Sequence, residues 1–73
     1  VLVYPNPVEE NYITITSPLE GPKDIKIYTI AGKKILETTI NGNTLDISFI
    51  DSGSYILKVT INNQSKLSKL IIK

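Results

Sequence analysis

The sequence predicts an all-β fold, a small immunoglobulin-like antiparallel β-sandwich of about seven strands. Ile, Thr and Val make up 24 of the 73 residues, and side chains branched at Cβ suit a pleated strand better than a helix. Turn-forming residues recur about every 8–12 positions between short apolar runs, which is typical of sandwiches. No segment repeats apolar residues at helical spacing over about ten positions, which argues against a helical bundle.

Seven short runs are predicted as strands, and they cover residues 1–4, 12–16, 23–30, 33–40, 44–48, 54–61 and 66–73. Two prolines in Pro5-Asn6-Pro7 follow the first run, and proline cannot donate a hydrogen bond to a sheet. Pro18 and Pro22 mark the loop between the second and third runs. Both of these runs alternate, so that each has one isoleucine-rich face; the isoleucines are Ile13 and Ile15, then Ile25 and Ile27.

The second half of the chain continues this pattern of strand and turn. Gly32 separates the third and fourth runs, which together predict a hairpin. Asn41-Gly42 and Asp51-Ser52-Gly53 mark the next two turns, because these residues tolerate unusual backbone angles. Asn62-Asn63-Gln64-Ser65 is predicted to turn the sixth run into the last. The sixth run has the clearest alternation, with one face formed by Tyr55, Leu57, Val59 and Ile61. With no internal linker, residues 1–73 are expected to form one domain.

The composition argues against an enzyme. The chain has no His, Cys, Arg, Trp or Met, which removes ordinary zinc, haem and iron–sulfur sites, thiol nucleophiles and histidine acid–base chemistry. Carboxylates remain at Glu9-Glu10, Asp46 and Asp51, but no pattern places two of them across a cleft. We therefore predict no catalytic residues, no cofactor and no metal.

Charge and hydropathy exclude two further classes of protein. The formal net charge is +1, far from the strongly basic balance of a nucleic-acid-binding domain. The longest strictly apolar runs are three residues, such as Leu70-Ile71-Ile72, which is too short to cross a bilayer. Since the chain begins with Val and not Met, we expect it to be a piece of a longer protein.

Three weaker alternatives remain open. Asp51-Ser52-Gly53 and Asn41-Gly42-Asn43 could each offer oxygen ligands to calcium, although both are good turns without an ion. The lysines of the last run, Lys66, Lys69 and Lys73, either protect an edge strand from aggregation or form a charged partner surface. Tyr12 and Tyr28 are the residues that a carbohydrate-binding surface would use.

Four motifs occur in an order that carries a family resemblance. They are Val3-Tyr4-Pro5-Asn6-Pro7, Ile25-Lys26-Ile27-Tyr28-Thr29-Ile30-Ala31-Gly32-Lys33, Gly53-Ser54-Tyr55-Ile56-Leu57-Lys58-Val59 and Lys69-Leu70-Ile71-Ile72-Lys73. Together they resemble the Por secretion system C-terminal sorting domain, the type A sorting domain of type IX secretion in Bacteroidetes. Thr29 is a departure, because the family commonly has an Asp there that caps the turn, which Thr does more weakly.

The resemblance implies a non-catalytic C-terminal sorting signal for secretion. Such a domain targets an attached N-terminal cargo protein through the periplasm to the type IX translocon of the outer membrane. A sortase-like peptidase usually removes it, and the cargo reaches the cell surface, joined to anionic lipopolysaccharide, or the medium. The residues that carry the family's structural motifs are Tyr4, Pro5, Asn6, Pro7, Tyr28, Gly32, Gly53 and Tyr55.

The same resemblance points to a recognition end at the C-terminus, formed by Lys69, Leu70, Ile71, Ile72 and Lys73. We expect the final strand to leave the chain end exposed, with unpaired backbone that can add to a partner's sheet. Removal of these residues is then expected to abolish secretion while the sandwich largely survives. Dimerisation through exposed strands is compatible with so short a sandwich. The competing hypothesis is a structural or adhesive immunoglobulin- or fibronectin-like accessory module of a larger secreted protein.

Overall fold

The computed structural model describes residues 2–4 and 8–73. In this part of the chain there are seven strands: β1 (Leu2–Tyr4), β2 (Tyr12–Thr16), β3 (Lys23–Thr29), β4 (Lys34–Ile40), β5 (Thr44–Asp46), β6 (Gly53–Ile61) and β7 (Gln64–Ile72). They form a three-stranded sheet in the order β1-β2-β5 and a four-stranded sheet in the order β4-β3-β6-β7. The predicted all-β sandwich of about seven strands is confirmed. No helix in the described residues is long and apolar enough to cross a membrane.

The core lies between the two sheets and is built from the alternating residues that the sequence indicated. Ile13 and Ile15 of the small sheet and Ile25 and Ile27 of the large sheet are fully buried. All four predicted core residues of β6 are also buried; they are Tyr55, Leu57, Val59 and Ile61. Each fully buried aliphatic side chain contributes roughly 1.5–3 kcal/mol, so β-branched packing is the main source of stability.

One inward-facing position is charged. Lys23 begins β3 on the buried face and is only 6 % exposed. Its Nζ donates hydrogen bonds to the Gly42 carbonyl oxygen and to Oδ1 of Asn43, both at 3.0 Å. These bonds compensate for the burial of the ammonium group, and they hold the crossover from β4 to β5 against the large sheet. Neither the burial of Lys23 nor its partners were predicted from the sequence.

The β6–β7 hairpin is tighter than the sequence suggested. Asn62 and Asn63 both have positive φ, 50° and 66°, as the two central residues of a type I′ hairpin turn do. Gln64 and Ser65 are therefore not part of the turn but the first residues of β7, which corrects the predicted four-residue turn. The two strands that meet here are the longest in the described chain, at 9 residues each.

The two ends of the sandwich differ in which parts of the chain they bring together. At the Lys73 end, Gly53 pairs with Ile72. At the opposite end, the Asn62 end, Leu2 pairs with Thr16, and Asn62 Nδ2 donates to the Glu20 carbonyl oxygen at 3.1 Å. Leu2 and Ile72 therefore lie at opposite ends of the sandwich. The longest dimension of the molecule is 30 Å.

Candidate recognition surface

The structure divides the predicted recognition end into core and surface residues. Leu70 is fully buried and Ile72 is 8 % exposed, so both side chains lie in the hydrophobic core. Lys69 and Lys73 are exposed, and Ile71 is half-buried on the outer face of the large sheet. The side chains of Lys69, Ile71 and Lys73 lie outside the core, whereas Leu70 and Ile72 position the strand from within.

The backbone at the chain end is not unpaired, and that part of the prediction is wrong. Val8 forms a parallel bridge with Ile72. The Val8 N–H donates to the Ile71 carbonyl oxygen at 2.7 Å, and the Lys73 N–H donates to the Val8 carbonyl oxygen at 3.0 Å. The Val8 side chain is fully buried, and this burial holds residue 8 against the outer edge of β7. The available sequence signal was one apolar residue placed directly before Glu9-Glu10-Asn11.

An ion pair reinforces this closure. Nζ of Lys73 lies 3.1 Å from Oε1 of Glu9, and both side chains are mostly exposed, at 60 % and 68 %. Such an exposed pair contributes at most about 1 kcal/mol. Together with the Val8 bonds, it joins the last residue of the chain to the segment that follows β1.

Two motif residues fix the start of β6. Gly53 has a φ of 153°, a conformation that residues with a Cβ rarely adopt. A Cβ built there would lie 3.6 Å from the ring of Tyr55, which shows how closely the ring covers this position. The Tyr55 hydroxyl donates to the Asp51 carbonyl oxygen at 2.6 Å. The hydroxyl of this buried side chain therefore fixes the position of the loop between β5 and β6.

The motif around Gly32 closes the β3–β4 hairpin. Gly32 has a φ of 94°, and its N–H donates to the Thr29 carbonyl oxygen at 2.9 Å. The Thr29 hydroxyl oxygen accepts a hydrogen bond from the Lys33 N–H at 3.1 Å. Thr29 thus caps the turn through its side chain, as expected of it in place of Asp.

The remaining motif residues do not converge on one site. Tyr4 is 45 % exposed on the outer face of the small sheet, and Tyr28 is half-buried on the outer face of the large sheet. Pro5, Asn6 and Pro7 lie outside the described residues. Tyr12 and Tyr28 face opposite sides of the sandwich, so these two tyrosines do not form a shared surface. No cluster of three acidic side chains occurs among residues 2–4 and 8–73.

Charge is distributed unevenly over the large sheet. On β3 and β4, Lys26 Nζ lies 3.2 Å from Asp24 and 3.8 Å from Glu37, and Lys34 Nζ lies 2.6 Å from Glu37. The hydrogen bond between Lys34 and Glu37 raises the pKa of the lysine and lowers the pKa of the carboxyl. Residues 52–73, in contrast, contain four lysines and no Asp or Glu. The β6–β7 half of the sheet is therefore the basic half.

A family profile described as "Secretion system C-terminal sorting domain" matches residues 2–73. The chain belongs to this family. It is a sorting domain of the type IX secretion kind, and the family is one of export signals and not of catalysts. The chain is also similar to a protein named endo-acting ulvan lyase from Formosa agariphila, with 31 % identity over 77 residues. That match covers 100 % of this chain but 15 % of the relative, so the sorting domain corresponds to a small part of a much longer protein.

Proposed function

We propose that residues 1–73 act as one C-terminal sorting domain that targets an attached N-terminal cargo protein to the type IX translocon of the outer membrane. The match to the sorting-domain family over residues 2–73 carries this proposal. The relative that contains the matched region in 15 % of its length supports the attachment to a larger cargo. The cargo passes through the periplasm, and a sortase-like peptidase removes the domain when the cargo reaches the surface or the medium.

The geometry of the sandwich suits a sorting domain that must be recognised while a cargo protein is attached to it. Leu2 lies at the Asn62 end, so a cargo attached before Val1 would emerge at that end. Lys73 lies at the other end of the sheet. The recognition end is thus turned away from the attachment point, and cargoes of different shape leave it accessible.

Within the recognition end, we assign contact with the translocon to Lys69, Ile71 and Lys73. Leu70 and Ile72 lie in the core, so their role is to hold the strand in register. Removal of residues 69–73 would delete two core side chains together with the surface residues. A loss of secretion by such a truncated chain would then not distinguish lost recognition from lost folding. Surface substitutions are the sharper test.

The test is export of a fluorescent protein fused to residues 1–73. Secretion is expected in a host with a type IX translocon and not in the same host without it. Lys69→Glu with Lys73→Glu should reduce secretion strongly. Lys33→Glu, which reverses the same charge in the exposed β3–β4 turn, is the matched control and should not. Equal release by both hosts would contradict the proposal, and equal secretion of all variants would contradict the assigned contact residues.

A second candidate function, a carbohydrate-binding accessory module, is favoured by one observation. Tyr4 and Tyr12, 45 % and 47 % exposed, share the outer face of the small sheet beside Thr14, which pairs with Tyr4. Exposed aromatic rings beside hydroxyl groups suit sugar rings. Affinity electrophoresis in gels containing ulvan tests this candidate: retardation that Tyr4→Ala and Tyr12→Ala abolish would support it, and unchanged mobility of the parent chain would exclude it for this polysaccharide.

A further inference from the structure

The outer edge of β7 is covered over part of its length. Ile61 and Gln64 flank the two-residue turn and form a hydrogen-bonded pair. Along an antiparallel strand, the backbone N–H and C=O groups of successive residues point alternately toward the partner strand and away from it. On β7, the hydrogen bonds with Val8 use the backbone groups of Ile71 and Lys73. Both residues are odd-numbered, so the backbone groups of the odd-numbered residues of β7 face away from β6. Ser65 and Leu67 therefore also direct their backbone groups outward.

Residues 65–68, which we call the open edge, lie beyond the reach of the Val8 bridge. Among residues 2–4 and 8–73, no strand pairs with this side of β7, and the Leu67 N–H and C=O have no partner there. A row of outward N–H and C=O groups on a sheet edge is a template for another strand. Strand addition is thus the mode of binding that the open edge offers.

Both faces beside the open edge have room for the side chains of an added strand. Leu67 is 63 % exposed on the outer face. On the other face, next to Gln64 and Lys66, lies a groove of about 260 Å³ between the β2–β3 loop and the hairpin, with Pro18 and Leu19 in its wall. Because alternate residues of a strand point to opposite faces, an added strand would place one set over Leu67 and the other in the groove.

The charges around the open edge select the kind of strand. Lys58 lies directly across from Leu67 on β6, on the outer face, and Lys66 borders the groove on the other face. No acidic residue occurs in residues 52–73. Pairing with a second copy would bring the lysines of both edges side by side, and like charges across strands are destabilising. A strand with carboxylate side chains is attracted on both faces.

We propose that the open edge is a docking site for an extended, acidic peptide segment of a partner protein, which adds to the large sheet beside β7. The site is distinct from the recognition end, which begins at Lys69. The inference does not depend on the proposed route of export, because it concerns binding by the isolated chain. Its failure would leave the secretion test unaffected.

The experiment uses the 73-residue chain and a short synthetic peptide with blocked ends in which Glu alternates with Val. The same peptide with Lys in place of Glu is the control. Binding is measured by fluorescence anisotropy and mapped by amide NMR shifts. We expect the acidic peptide to shift the amides of residues 65–68 and to bind at least about tenfold more tightly than the basic peptide.

Two substitutions separate the backbone from the charge. Leu67→Pro removes an N–H that faces outward and is not used in pairing with β6, so an edge position tolerates it; binding should weaken about tenfold. Leu67→Ala controls for loss of the side chain in this variant. Lys66→Glu should weaken binding of the acidic peptide several-fold and favour the basic one, whereas Lys33→Glu should leave the ratio unchanged.

Three results would overturn the proposal. The first is equal affinity for the acidic and basic peptides, and the second is binding that maps to another edge. The third is a dimer in sedimentation that Leu67→Pro dissociates, which would make a second copy the occupant. If Leu67→Pro fails to fold, the Lys66→Glu comparison decides, because an exposed lysine is replaced without loss of any backbone donor.

Discussion

At the scale of single residues, a small number of polar groups fix the ends of strands around an apolar core. Tyr55 is one of them: its ring is 9 % exposed, and its hydroxyl reaches the Asp51 carbonyl oxygen. Asp46 is another, because its Oδ1 accepts the Ser48 N–H at 2.9 Å directly after β5. Both contacts lie in the segment between β5 and β6, where the chain crosses from one sheet to the other.

Tyr55→Phe should lower the free energy of unfolding by about 1 kcal/mol, because it removes the bond to Asp51 and leaves the ring in place. Urea denaturation followed by circular dichroism measures the change. Tyr12→Phe is the matched control, since Tyr12 is 47 % exposed, and it should have almost no effect. Equal loss in both variants would show that the hydroxyl bond does not stabilise the loop.

The Asp46 carboxylate makes part of the stability depend on pH. Hydrogen bonding from Ser48 lowers the pKa of Asp46 below its ordinary value. A carboxyl with a lowered folded-state pKa adds stability above its unfolded pKa of about 3.9, and this stability is lost as the pH falls through the lower folded value. The urea midpoint of the parent chain should therefore exceed that of Asp46→Asn most at neutral pH. A difference in urea midpoint between the two chains that stays constant into strong acid would contradict this account.

At the scale of elements, the β3–β4 hairpin shows how a departure from a family motif retains its function. Thr29 supplies both the carbonyl oxygen that accepts the Gly32 N–H and the hydroxyl oxygen that accepts the Lys33 N–H. The pairing register of β3 and β4 shifts between Ile27 and Tyr28, next to the turn. The turn is therefore held by the Thr29 cap and by Gly32.

Thr29→Val keeps the shape of the side chain and removes the cap, so we expect a loss of about 0.5–1.5 kcal/mol in unfolding free energy. Thr29→Asp should match or exceed the parent chain, because Asp is a stronger acceptor in turns of this kind. Urea titrations of the three chains provide the comparison. A Val variant as stable as the parent chain would show that the hydroxyl has no capping role.

At the scale of the whole molecule, stability rests on a thin core. A domain of this length has about 4–11 kcal/mol of stability in total, and the sequence has no cysteine with which to form a disulfide. The core draws on both sheets and on the bridging residue Val8. The loss of one buried side chain is thus a large fraction of the total.

Two leucines of β7 test this directly. Leu70 is fully buried and Leu67 is 63 % exposed. Leu70→Ala should cost about 2–4 kcal/mol, whereas Leu67→Ala should cost about 0.5 kcal/mol or less. Thermal and urea unfolding of the two variants measure the difference. Similar losses would mean that β7 does not pack as described.

The sequence was sufficient for everything that depends on local periodicity. The alternation at Ile25 and Ile27 and in β6 predicted which side chains are buried, since a strand has a period of two. The Val8 bridge and the partners of Lys23 were missed, because both depend on residues far apart in the chain. Pattern alone also could not show that Lys73 is tied to Glu9.

The bridge at Val8 has a consequence for the order in which the domain is made. Glu9 and Lys73, which pair beside it, are 64 positions apart in the chain. Closing so long a loop is entropically costly and slows folding. During synthesis, the residues of β7 that bond to Val8 emerge from the ribosome long after Val8 itself, so this bridge cannot form before β7 has been made. Val8 therefore lacks this partner through most of the synthesis of residues 1–73.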